Sequence, residues 1–153
     1  MKITIALKQA IHGKCEGYVN ERIQTAKSAM EEAQLAANEE VKSSAGDKYE
    51  TGRAMLQIER DKHAVQLSEA LKLKAVLDHI DASKEEEVVK LGTLVSTSMG
   101  TFYISISAGK LEVDKQMVFA ISMSSPIGAK LNGMKKGEET LFNEKKIKVF
   151  ELV

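Results

Sequence analysis

Tryptophan is absent from this chain of 153 residues, and proline and cysteine occur once each. The single cysteine, Cys15, excludes an intramolecular disulfide and suits a reducing compartment. The lone proline, Pro126, leaves everything before it free of the strongest helix breaker, which favours long helices. Net charge is missing as well, since 22 basic side chains balance 22 acidic ones. No whole-chain basic field grips nucleic acid or draws the chain to an anionic membrane. No apolar run approaches the roughly 20 residues of a membrane span. Residues 1–13 hold Lys2, Lys8 and His12 without a sustained apolar stretch, so no secretory signal is expected. Together these absences predict a cytoplasmic protein of one domain or two small ones.

What is present is organised around Lys42 to Arg53, where Ser43, Ser44, Gly46 and Gly52 permit a turn between two helix-forming segments. Two long helices joined by a short turn fold back as a hairpin, because each must bury its apolar stripe on the other. Upstream, Leu7, Ile11, Cys15 and Tyr18 form a helical stripe. Gly13 and Gly17 weaken it by about 1 kcal/mol each relative to alanine, which predicts fraying or a kink. Val19, Ile23, Ala26, Met30, Ala33 and Ala37 follow at alternating spacings of four and three, the pattern of a coiled-coil core. In the second arm, Met55, Ile58 and Val65 read as one seam, which Leu73, Val76 and Ile80 continue with a shift. Leu56, Leu67 and Leu71 broaden the apolar face, and the pattern leaves the register of this arm open.

After the polar junction Asp81 to Glu87 the period changes from 3.6 to 2. Leu91, Thr93 and Val95 form one alternating run, and Phe102, Ile104 and Ile106 another. Ala108-Gly109-Lys110 reads as a turn, and Gln116 to Ser122 as a third strand. Pro126 opens a short helix that Gly133 closes. Glu139 to Phe142 and Ile147 to Leu152 form a closing hairpin around Asn143-Glu144. The expected fold is therefore α+β. A long antiparallel helical hairpin spans residues 1–82, with an acidic tip near 43–52. A small, mostly antiparallel five-stranded sheet with one short helix spans 83–153.

Few residues carry chemistry. Asp47 and Glu50 stand three apart at the tip, where both can serve one cation, or where Asp47 can cap a helix with Glu50 in support. Cys15 reads as a small core residue on the first stripe, since a nucleophilic thiol needs partner groups that are not evident. His12, His63 and His79 lack the spacing of a helical zinc site and read as surface or helix-flank residues. No phosphate-binding glycine loop and no Ser/His/Asp arrangement stand out.

Three features together resemble the Gre-type transcript-cleavage factors of bacterial RNA polymerase. The first is Gly46-Asp47-Lys48-Tyr49-Glu50, similar to the family's tip pattern Gly-Asp-x-x-Glu. The second is the helical hairpin around it. The third is Ser125-Pro126-Ile127-Gly128-Ala129-Lys130-Leu131-Asn132-Gly133 followed by Lys136-Gly137-Glu138. That run resembles a segment of the family's FKBP-like C-terminal domain. The resemblance implies a protein that is not itself an enzyme. It implies a hairpin entering the polymerase's secondary channel, with no membrane and no sequence-specific DNA contact. Asp47 and Glu50 would help hold a Mg²⁺ shared with the polymerase beside the nascent RNA 3′ end, with no tightly bound cofactor. Ser125, Pro126, Ile127 and Gly128 would lie in the polymerase-binding domain. After the second acid, where the family usually reads Asn-Ala-Glu-Tyr, the chain departs from it and reads Thr51-Gly52-Arg53-Ala54. Two alternatives stay open beside this reading. One is a non-catalytic interaction module whose hairpin only obstructs or packs. The other is a peptidyl-prolyl isomerase on an FKBP-like sheet, for which fold alone is no argument.

Overall fold

A computed structural model describes the backbone of residues 2–43 and 47–153, and the side chains of residues 2–39 and 51–153. Thr4 starts the first helix: its Oγ1 accepts from the Leu7 amide at 3.0 Å, an N-cap bond. Helix α1 then runs from Ile5 to Ser43. Gly13 and Gly17 do not interrupt it, contrary to the expected fraying. Helix α2 covers Asp47–Asp78 and folds back against α1 as a hairpin. Six strands follow: β1 Leu94–Thr97, β2 Gly100–Ser105, β3 Gly109–Val113, β4 Gln116–Ser122, β5 Glu139–Phe142 and β6 Lys145–Leu152. Helix α3, Pro126–Leu131, lies between β4 and β5 in sequence.

By contacts the chain forms two compact units, one of Val19–Lys74 and one of Met1–Tyr18 with Ala75–Val153. In the helical unit the α1 positions expected at the core are the ones covered. Val19, Ile23, Ala26 and Ala33 are buried, while Met30 and Ala37 are half-buried. The second arm differs from its sequence reading. Met55, Ile58 and Val65 are 67%, 69% and 62% exposed. In this part of α2 the seam runs through Leu56, Arg60, His63, Leu67 and Ala70, again at spacings of four and three, with Gly52 and Ala64 also half-covered. Further on, Leu73, Val76 and Ile80 are half-buried, as read from the sequence. A cation and an imidazole occupy two places in that seam, so its apolar period is broken in the sequence. His63 is held there by Gln66 at 2.9 Å and lies 3.8 Å from Glu59.

The sheet has the order β3-β4-β2-β1-β6-β5. All pairs are antiparallel except β2 with β4. After β2 the chain passes one strand position to form the edge β3, then returns through Asp114-Lys115 to fill the gap as β4. Both turn residues have positive φ, as do Asn143-Glu144 between β5 and β6. Two-residue hairpin loops of that shape match the twist of their strands. The sheet thus has six strands rather than five. Gly109–Val113, read as a turn and its sequel, is an edge strand whose Lys110 and Glu112 discourage further pairing.

Strand β2 lies inside the sheet and is buried from Thr101 to Ser105. Successive side chains of a strand point to opposite faces, so β2 serves two cores. Phe102 and Ile104 join Val95, Ile147, Val149, Leu131 and Met134 on the face that α3 covers. Tyr103 and Ser105 point the other way, alongside Leu94 and Ala120, their neighbours on β1 and β4. The start of α1 covers that second face, with Leu7, Ile11 and Cys15 all buried.

Candidate functional site

The hairpin turn carries the two acids singled out from the sequence. Asp47 is the first residue of α2, and Glu50 follows within its first turn. Their side chains, and the backbone of residues 44–46, lie outside the described residues. Among the described residues no group of three or more His, Cys, Asp or Glu is placed to hold a metal ion.

The Ser125–Gly128 segment forms the N-terminus of α3. Ser125 has extended backbone angles and caps the helix, its Oγ accepting from the Gly128 amide at 3.1 Å. The same hydroxyl donates to the Ser122 carbonyl at 2.7 Å. Pro126 occupies the first helical position, where its fixed φ suits the helix and its missing N–H is no loss. Ile127 packs against the sheet core, and Gly128 is buried. Of these four residues only Pro126 is exposed, flanked on the surface by Ser124, Ala129 and Lys130. The segment is a capped, well-anchored turn that presents one rigid residue to solvent.

A third group of polar residues was not evident in the sequence. His12 was expected on a surface or helix flank. Its Nδ1 instead lies 2.7 Å from the hydroxyl of Tyr103, a residue with no exposed surface. The His12 Nε2 stands 3.8 Å from Glu16, one turn further along α1. Carboxylate, imidazole and phenol therefore lie in sequence, as in a proton relay. No substrate reaches a wholly buried phenol, however. Burial, with smaller contributions from Cys15 and Glu16, holds the Tyr103 hydroxyl well above the usual phenol range. Cys15, as expected, is a core residue. Its Sγ lies 3.8 Å from Ser105 Oγ, and burial pushes its thiol up, away from reactive thiolate. These bonds fix where α1 sits on the sheet, which an all-apolar contact would leave free to slide.

Lys8, one turn before His12, is completely buried and donates from Nζ to the Lys84 carbonyl at 2.7 Å. Burial lowers its pKa, opposed by Glu86 and Asp81. The unfolded chain therefore binds the Lys8 proton more readily between the lowered folded value and the ordinary 10.5. Stability must rise with pH across that window and be flat in this respect below it. Denaturant titrations of wild type and Lys8→Met at a series of pH values check this. The wild type gains on the variant as pH approaches 10.5, and a constant difference refutes the assignment.

Against known proteins, the chain matches no family model and no curated protein at a significant level.

Proposed function

We propose that this chain is a Gre-like elongation regulator. It would dock on bacterial RNA polymerase, enter the secondary channel with its hairpin, and stimulate cleavage of backtracked RNA. The observation that carries this reading is the placement of an Asp-x-x-Glu pair at the start of the second arm of a long helical hairpin. Residues three apart in a helix share a side, so the backbone allows both carboxylates to serve one cation. Hard carboxylate oxygens suit Mg²⁺, and two of them alone bind it weakly until a partner completes the shell. When bound, such an ion would activate water and stabilise the leaving oxygen within the polymerase's own active site. In this reading the affinity contact falls on the Ser125–Gly128 turn, with Pro126 at its surface.

Asp47→Asn tests the reading in a backtracked transcription complex, using the full chain. Asparagine keeps the shape and the capping ability of the residue while removing its charge. Mg²⁺-dependent cleavage should fall by at least about a hundredfold, the scale of one lost transition-state contact, while polymerase binding stays unchanged. Full cleavage by the variant would refute a role for the tip acids. A wild type that binds without cleaving would favour the second reading, a hairpin that only obstructs the channel. That reading draws on Thr51-Gly52-Arg53 behind the acids, which places a glycine and a cation where the Gre pattern has neither.

A further inference from the structure

One spacing singled out in the sequence remains unused by the fold. Met55, Ile58 and Val65 lie on the side of α2 turned away from its seam, and all three are more than half exposed. With Lys62, Glu69 and Lys72 they fill a second heptad frame, whose first position is offset by one residue from Leu56, His63 and Ala70. Three large apolar residues on one helix face exceed the scattered singles normal on a surface.

We propose that this face pairs with the same face of a second copy, antiparallel, about a two-fold axis at residue 60. In that arrangement Met55 meets Val65 of the second copy and Ile58 meets Lys62, each contact occurring twice by symmetry. The Lys62 stem covers Ile58 of the second copy, as long basic side chains do on apolar surface. Its ammonium then reaches Glu59 of that copy, one residue along the helix from Ile58. Lys62 and Glu59 are both exposed and opposite in charge, so the match is self-complementary. Both rims also carry a like-charge approach. Antiparallel pairing brings Glu59 near its own counterpart on one side and Asp61 near its own on the other, the latter moderated by its bond from Gln57 at 3.2 Å. The contact is small, which places the pair at the weak, transient end of protein association. It uses the helical unit alone and does not depend on the polymerase reading.

Sedimentation equilibrium of the full chain from about 10 µM to 1 mM tests this. The expected result is a monomer–dimer equilibrium with Kd on the order of 10⁻⁴ M. Ile58→Glu should weaken it at least about tenfold, with helix content by circular dichroism unchanged. Lys62→Glu should weaken it about threefold, and adding Glu59→Lys to that variant should restore it. Asp61→Asn should tighten it by a similar factor. A chain that stays monomeric throughout overturns the proposal. So does an association indifferent to Ile58→Glu, or a double charge exchange that fails to restore pairing.

Discussion

Gly128→Ala should lower the stability of the sheet unit by about 2–4 kcal/mol, read as a shift in the urea midpoint at constant m. The methyl group would lie 2.3 Å from the Ser122 carbonyl oxygen, 2.8 Å from Ser125 Oγ and 3.3 Å from the Met123 carbonyl oxygen. Two of those atoms are backbone and cannot rotate aside. Ser122 ends β4, and its carbonyl already accepts from the amide and the hydroxyl of Ser125. The strain must therefore move α3, whose Leu131 is fully buried in the core. Moving α3 also opens the Ser125 cap, itself worth about 1 kcal/mol. Gly133→Ala is the control. Its φ is +85° but nothing lies within 4 Å of the added carbon. Its cost should stay near 1 kcal/mol, the penalty for a left-handed alanine. Equal losses at the two glycines would refute a steric role for Gly128.

Tyr103→Ala should cost about 3–5 kcal/mol, the range for emptying the site of a large buried side chain. Tyr103→Phe should cost only about 1 kcal/mol, since it keeps the ring and loses the bond to His12. The ring also meets the His12 imidazole edge-on, with centroids 6.0 Å apart, a contact phenylalanine retains. Hydrogen exchange separates the two variants further. The alanine variant should speed exchange at the amides of Leu7 to Cys15, whose helix face rests on this part of the sheet. The phenylalanine variant should leave those amides largely protected. Equal protection in both would mean that the start of α1 is held elsewhere.

The first arm of the hairpin was legible because its core is written in apolar residues, from Val19 to Ala37, at coiled-coil spacing. The second arm was not, because Arg60 and His63 sit inside its seam while Met55, Ile58 and Val65 imitate one outside it. Periodicity reports which residues share a face, not which face is covered. The Asn143-Glu144 hairpin and the α3 helix were legible from turn and capping chemistry, which is local. Strand β3 was hidden because an edge strand alternates charge with apolar residues over only five positions. The bond between His12 and Tyr103 joins residues 91 apart, and no local pattern announces such a contact. Asp47 and Glu50 stood out by type and spacing, and their backbone lies in the first turn of α2.

The sheet unit is interrupted: Met1–Tyr18 belong with Ala75–Val153, and the whole helical unit comes between them. Met1–Tyr18 are thus made well before the strands they rest on and must wait for them. The chain between His12 and Tyr103 takes roughly 5–18 s to synthesise at typical elongation rates. Through that delay Leu7, Ile11 and Cys15 have no sheet to rest on, while the helical unit between them can already close. Any shortened version that begins at residue 83 carries the same fault permanently, with Leu94, Tyr103 and Ala120 left bare. A sound miniature would instead excise Val19–Lys74 and join Tyr18 to Ala75 through a short loop, keeping the lid with its sheet.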